Sequence, residues 1–275
     1  MVDVAADSFD IEPFFLDSPR GSLFCLYLAP RGREPVGKIL YLHPFAEEMH
    51  KSRRMAALQA RAFAALGYAV LQFDLTGCGD SAGDFGDASW EAWKDDIRLA
   101  HAWLEKQCHG STTLWGLRIG AALAVEMGGE LAGIDRLILW QPVVSGELFL
   151  TQFLRIKLAS EMLSAGQAQS GTKALRAQLE AGAAIEVGGY MLAPAMARAL
   201  ASWKLANYTC PTCPVCWMEI GATGDFPPAS QRVADTWREA GALLVTHAVV
   251  GEPFWVTQEI TECFPLIDAT LSELA

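Results

Sequence analysis

The stretch from residue 112 to residue 124 constrains this chain more than any other, because it combines a short apolar strand with an abrupt start of a helix. Gly116, Gly120 and Ala121 have little or no side chain, as a corner where a strand packs closely against the following helix requires. Arg118 lies between the two glycines. The stretch therefore predicts a strand–turn–helix corner that presents a guanidinium, which stays protonated at any working pH and is not a nucleophile.

The composition fits a folded α/β protein with a sizeable core. The chain has 275 residues, of which 52% are hydrophobic and 19% charged, so we expect one large domain with an insertion or two small domains. The net charge of −11 argues against nucleic acid or an anionic membrane surface as a partner. No apolar run is long enough to span a bilayer, the start of the chain lacks the pattern of a signal peptide, and seven cysteines have irregular spacing. We expect a cytoplasmic protein with reduced thiols.

Along the chain, apolar runs typical of buried strands alternate with segments whose apolar residues recur at helical spacing. Strands are predicted at 14–16, 21–29, 38–42, 68–73, 112–117, 136–140, 215–220 and 242–250. Helices are predicted at 52–66, 90–106, 230–239 and 266–274, the second with Ser89 as its N-cap. This alternation predicts a mostly parallel, doubly wound sheet with right-handed crossovers.

Residues 144–208 break the alternation. They contain helical patterns near 148–163, 173–180 and 195–205, with a Ser-, Gly- and Gln-rich joint at 164–171. We expect these residues to form a helical cap over the strand ends, and residues 1–143 and 209–275 to form the core.

Four short motifs at the ends of predicted strands point to a superfamily. They are His43-Pro44-Phe45, the Asp74–Ser81 loop with its two glycines, the Gly116–Gly120 corner, and Gly221-x-x-Gly224-Asp225. With these motifs the chain resembles the α/β-hydrolase superfamily over nearly its whole length, which implies that fold with an inserted cap. In that superfamily the corner is the nucleophile elbow, G-x-S-x-G.

A narrower resemblance covers residues 42–49, 51–55, 115–121 and 251–255. These stretches are similar to the exosortase A system-associated hydrolases of the second type. The resemblance implies a link to exopolysaccharide and protein-sorting systems, and an activity of the hydrolase or acyl-transfer kind.

The resemblance carries only one member of a Ser-His-Asp triad onto this chain. The nucleophile position holds Arg118, the acid position matches Asp225, and the position of the histidine matches Pro253. His247 lies inside the last strand, about 10 Å short of the catalytic edge, so we interpret it as structural. Without a nucleophile or a base, a serine-hydrolase mechanism is not expected.

Two interpretations of Arg118 remain open. Its planar fork of donors suits a carboxylate, phosphate or sulfate, so it is a candidate anchor for an anionic ligand. Alternatively, Asp225 or a nearby glutamate neutralises it and the former active site is an ion-pair cluster. The candidate catalytic residues are Arg118, Asp225, His43, Glu47, Glu48 and Glu252, and the candidate substrate-binding residues are Phe45, Leu117, Gln141 and Trp255.

Two metal patterns are weaker alternatives. His43, Glu47, Glu48 and His50 are close in sequence, but they follow a strand end rather than lying along one helix. Cys210, Cys213 and Cys216 are separated by prolines that keep the segment extended, so residues three apart point to opposite faces. We therefore expect neither a metal nor a cofactor.

The sequence thus leaves two functions open. The first is a hydrolase or acyl-transfer enzyme that acts on a small anionic or acylated molecule with Arg118 as its anchor. The second is a catalytically silent hydrolase-fold protein that binds a ligand or a partner. A homodimer is compatible with either, since the sequence does not fix the oligomeric state.

Overall fold

The computed structural model describes residues 8–165, 171–209 and 211–274. Most of the predicted joint at 164–171, the first seven residues and Cys210 lie outside the described residues.

A single mixed sheet forms the centre of the molecule. Its strands are β1 (Phe9–Ser18), β2 (Gly21–Pro30), β3 (Lys38–Leu42), β4 (Ala69–Phe73), β5 (Thr112–Leu117), β6 (Ile134–Trp140), β9 (Val215–Gly221) and β10 (Leu244–Val250). They lie side by side in the order β1-β2-β4-β3-β5-β6-β9-β10. The first two strands pair antiparallel and β2 pairs antiparallel with β4, whereas every later pair is parallel. The carboxyl ends of the parallel strands therefore share one edge.

Helices cover both faces of the sheet. The core-forming helices are α1 (Glu47–Leu66), α2 (Trp90–Gln107), α3 (Ile119–Glu130), α7 (Pro228–Glu239) and α8 (Phe264–Ser272). Side chains of α1 and α8 pack with Trp115 and Trp140 on one face. Side chains of α2, α3 and α7 pack on the other face, together with the cap. This arrangement confirms the predicted α/β-hydrolase fold.

The cap residues form α4 (Gly146–Ala165), α5 (Thr172–Glu180), β7 (Ile185–Val187), β8 (Tyr190–Leu192) and α6 (Pro194–Ser202). The β7–β8 hairpin was not predicted. Its turn is Gly188-Gly189, both with positive φ, which is the glycine pair that a two-residue hairpin favours. A predicted helix pattern on either side obscured this signal.

One boundary matters for the site. The first helix begins at Glu47, five residues before the predicted start at residue 52. Glu47 and Glu48 therefore both lie in its first turn. Negative charge is favourable there because the helix dipole is positive at that end. Among the described residues, no helix is both long and apolar enough to cross a membrane.

Candidate active site

The corner between β5 and α3 has the tight geometry that its glycines predict. A Cβ on Gly116 would lie 2.4 Å from the carbonyl oxygen of Gly120, and a Cβ on Gly120 would lie 2.0 Å from that of Leu42. Arg118 itself has φ 57° and ψ −113°, a region that side-chain-bearing residues rarely adopt. The chain thus holds an arginine in the strained conformation that an elbow imposes.

Backbone strain concentrates around this corner. Of the described residues other than glycine, three have positive φ: Ala46, Arg118 and Gln141. They follow β3, β5 and β6, which are neighbours in the sheet, so all three lie at its carboxyl edge. Strain of this kind costs about 1–3 kcal/mol per residue and clusters at functional sites. The strained residues therefore mark the carboxyl edge of the sheet as a candidate functional site.

Arg118 pairs with Glu48 through a single contact. Its Nε lies 3.2 Å from Glu48 Oε1, while the two terminal nitrogens form no hydrogen bond with a described residue. The guanidinium carbon lies 5.8 Å from the centre of the Phe149 ring and 5.4 Å from that of Trp255, within range of cation–π attraction. Both charged side chains are largely buried, at 16% exposed for Arg118 and 14% for Glu48. Most donors of the guanidinium fork therefore remain available.

Glu48 is an incompletely satisfied carboxylate. Its Oε2 is buried and has no hydrogen-bond partner among the described residues. Burial raises the pKa of the Glu48 carboxyl, and the positive charge of Arg118 opposes that rise without cancelling it. A buried carboxyl with a raised pKa is suited to exchange protons with a bound molecule.

A cavity of about 520 Å³ opens in front of Arg118, between the elbow and the cap. Its walls are mainly apolar, with charged groups at one end. They consist of Phe45, Glu47, Glu48, Lys51, Arg118, Phe149, Gln152, Phe153, Ile156, Val187, Gly188, Tyr190, Trp255 and Val256. Two predicted substrate-binding residues, Phe45 and Trp255, are among them.

A smaller cavity of about 190 Å³ lies on the other side of Arg118 and is more polar. Gln141, a predicted substrate-binding residue, lines it and accepts a hydrogen bond from the backbone of Ile220 at 2.5 Å. Glu219 lines it too, 2% exposed, and accepts a hydrogen bond from Trp217 Nε1 at 2.9 Å. Burial raises the pKa of the Glu219 carboxyl. Arg118 therefore lies between the two cavities, with the buried carboxyl group of Glu48 beside the larger one and that of Glu219 beside the smaller one.

Glu219 was missed because it lies inside a run that we read only as a buried strand. The sequence did contain an indication, because a carboxylate in an otherwise apolar strand is almost never fully buried unless it is paired. Glu47, in contrast, was a predicted candidate. It lines the larger cavity, where Tyr190 donates a hydrogen bond to its Oε2 at 3.1 Å.

Four predicted site residues line neither of these two cavities. His43 is buried, with Nδ1 2.7 Å from the Pro44 carbonyl oxygen and Nε2 accepting from the backbone of Leu75 at 3.1 Å. Both ring nitrogens are thus occupied, and burial lowers its pKa. Leu117 packs in the core beneath the sheet. Asp225 and Glu252 are exposed and form no side-chain contact with Arg118 in the described structure.

The structure shows which carboxylate lies next to Arg118. Asp225 and the glutamates were equal candidates in the sequence, and the described structure pairs Arg118 with Glu48. The pair nevertheless leaves donors without a partner among the described residues, next to a cavity, so neutralisation and ligand binding are compatible here. Within the described part of the chain, the donor atoms of His43, Glu47, Glu48 and His50 do not converge into a metal-sized group.

The sheet order and the elbow define an α/β-hydrolase-fold protein. The chain belongs to the family described as serine aminopeptidase, S33, whose model matches residues 33–206. Similar solved structures include a ferulic acid complex of Est1E from Butyrivibrio proteoclasticus, at TM-score 0.66 and 16% identity over 95% of this chain and 97% of that one. An esterase from Pyrococcus furiosus has TM-score 0.62 and 15% identity over 97% and 91%. A proline iminopeptidase from Mycobacterium smegmatis has TM-score 0.61 and 14% identity over 96% and 98%. These likenesses show the fold, and no curated protein matches the chain.

Proposed function

We propose that this protein binds a small anionic or acylated molecule in the larger cavity, with Arg118 as the anchor, and acts on it as a hydrolase or acyl-transfer enzyme. The observation that carries the proposal is a largely buried arginine beside a cavity of about 520 Å³, with two terminal nitrogens that bond to no described residue. A guanidinium in that setting favours a carboxylate or phosphate that accepts two parallel hydrogen bonds. The apolar walls favour an acyl chain attached to that group.

The acid–base group in this proposal is Glu48. For hydrolysis, Glu48 takes a proton from a water molecule as the water oxygen bonds to the acyl carbon and the carbonyl becomes an oxyanion, while Arg118 holds the anionic group of the substrate in position. The intermediate then breaks its bond to the leaving group, which receives the proton from Glu48. For acyl transfer, an alcohol replaces the water. Neither route requires a serine at position 118.

The resemblance to exosortase A-associated hydrolases supports a role in exopolysaccharide or protein-sorting systems. A cytoplasmic location and the homodimer remain predictions of the sequence.

A silent binding protein is the second candidate, and one observation favours it. By the resemblance to the superfamily, Arg118 and Pro253 match the positions of the nucleophile and the base. A protein that binds the same ligand without turnover retains the cavity and the anchor and needs nothing else. The two candidates differ only in whether the bound molecule is converted.

The test is a thermal-shift series with octanoate, glucose 6-phosphate and octanoyl-coenzyme A, on the wild type and on Arg118→Ala. A ligand at a hundred times its Kd stabilises the native state by about 2.7 kcal/mol, which raises Tm by several degrees. We expect a rise with at least one probe in the wild type and none in Arg118→Ala. Arg176→Ala is the control, since Arg176 pairs with Glu147 in the cap and lines neither cavity.

The result separates the alternatives. A shift that survives in Arg118→Ala, or no shift with any probe at millimolar concentration, contradicts the anchor. If octanoyl-coenzyme A binds, mass spectrometry after incubation with it then distinguishes hydrolysis or acyl transfer from silent binding.

A serine placed in the elbow should not create an esterase. Arg118→Ser supplies a hydroxyl in the elbow conformation, but Pro253 offers no titratable group to remove its proton, and the short serine side chain ends well before the position of Nε that Glu48 contacts. We expect hydrolysis of p-nitrophenyl acetate no faster than that of the wild type, in a variant shown to be folded by its melting curve. A rise of tenfold or more would contradict the assignment of Pro253 to the position of the base.

A further inference from the structure

A second group of reactive side chains lies far from Arg118. It consists of Cys216 near the amino end of β9, His247 in β10 and Glu273 directly after α8. Val245 pairs with Cys216 and His247 with Met218, so the histidine lies on the same face as the cysteine, one diagonal step along. Five residues separate Cys216 from the carboxyl end of its strand, about 16 Å at the usual rise.

The donor atoms of these three residues converge. One ligand atom from each side chain lies within 4.8 Å of those of the other two. His247 Nε2 lies 2.7 Å from Glu273 Oε1. Cys216 is 3% exposed, while the side chains of His247 and Glu273 are 29% and 22% exposed. It is the one such group among the described residues, and three separate elements build it.

We propose that Cys216, His247 and Glu273 form a zinc-binding site. Donors around a tetrahedral zinc lie about 3.3–3.7 Å apart, so the observed cluster needs shifts of roughly 1 Å or less to accept the ion. Thiolate, imidazole and carboxylate together are typical of zinc rather than of calcium or magnesium, which prefer oxygen donors alone. The three protein ligands leave a fourth position for water.

The surroundings allow an ion to enter. A cavity of about 360 Å³ is lined by Cys216 and Glu273 and reaches the edge of the sheet. Arg136 also lines it and donates to the backbone carbonyl of Glu273, which holds the end of α8 in place. Burial and the negative charge of Glu273 raise the pKa of Cys216, and the positive charge of Arg136 offsets part of that rise.

The thiol must lose its proton when the metal binds. Burial raises the pKa of Cys216 to about 12 in the absence of metal. The metal–sulfur bond forms as the S–H bond breaks, and the proton leaves to solvent.

The consequence of the site is structural. A bound zinc joins β10, the last strand of the sheet, to β9 and to the end of α8. This role does not depend on the proposed activity at Arg118, which lies at the other end of the strands.

The test is a titration of the full-length protein with Co²⁺, which substitutes for zinc and absorbs when a thiolate binds it. We expect one equivalent to bind, with a thiolate-to-cobalt band in the near ultraviolet that zinc abolishes. The band should be absent in Cys216→Ser and should keep its intensity in Cys213→Ser, a variant of a neighbouring half-buried cysteine.

Cys216 is buried, so its variant needs a companion in case it folds poorly. Glu273→Gln changes a partly exposed residue and should weaken Co²⁺ binding at least tenfold while the melting curve stays cooperative. An unchanged band in Cys216→Ser, an unchanged Co²⁺ affinity in Glu273→Gln, or no band in the wild type at millimolar Co²⁺ would overturn the site.

Discussion

Gly120→Ala should destabilise the protein by at least about 4 kcal/mol, which is exceptional for the addition of one methyl group. A Cβ at position 120 would lie 2.0 Å from the carbonyl oxygen of Leu42 and 2.7 Å from that of His43. Both atoms belong to backbone at the end of the central strand β3, which the rest of the sheet holds in place. Neither the start of α3 nor the end of β3 can move away without separating the helix from the sheet. We therefore expect little soluble protein.

Gly129→Ala is the matched control, because Gly129 lies in the same helix and a Cβ added there would meet no described atom within 4 Å. Alanine is the better helix former, so this variant should gain about 0.5–1 kcal/mol. Urea unfolding of both variants measures the difference. A soluble Gly120→Ala protein whose Tm lies within about 5 °C of the wild type would contradict the packing described for the elbow.

The elbow illustrates what the sequence could predict. Gly116, Gly120 and the apolar run before them are local features, and their chemistry permits few structures other than a tight strand–turn–helix corner. The order of strands and helices followed from the same kind of local pattern. The predicted fold was therefore confirmed, and over the residues that the structure describes the predicted strands and helices differ from the observed ones in their boundaries and in the small β7–β8 hairpin.

The partner of Arg118 could not be predicted, since it depends on distances between loops. Four carboxylates were equal candidates in the sequence. The choice of Glu48 follows from the early start of α1, which begins after Ala46 in a positive-φ conformation. An alanine in the sequence does not indicate a positive φ, because that conformation is maintained by the surrounding folded structure.

His43 shows a different limit of sequence reasoning. Its position at the end of β3 was predicted from the motif, and it does lie there. Which atoms a ring contacts is a matter of side-chain rotation, and both of its nitrogens face backbone groups rather than the cavity. It therefore has no part in the proposed chemistry.

Arg118→Met should cost about 3 kcal/mol at pH 8, or roughly 6–10 °C in Tm for a chain of this size. Methionine keeps most of the volume but leaves Glu48 as a buried carboxylate without its counter-charge. A raised folded-state pKa means that the native state binds a proton more readily than the unfolded state. Stability is then lost as the pH rises from the unfolded value, about 4.5, through the folded one.

In the wild type the charge of Arg118 limits this loss, so its removal should raise the pKa of Glu48 further and extend the pH range of the effect. We expect the stability lost in Arg118→Met to be smallest at acidic pH, where Glu48 is protonated, and to grow progressively toward pH 8. The measurement is the free energy of unfolding by urea at each pH.

The double variant Glu48→Gln/Arg118→Met separates the charge effect from lost packing. It removes both charges, so it should regain most of the stability at pH 8 and lose the added pH dependence. If the double variant is as unstable as Arg118→Met at pH 8, the cost lies in the contacts of Arg118 with Phe149 and Trp255 instead. In that case Glu48 does not carry the uncompensated charge, and its proposed role as the acid–base group would lose its physical basis.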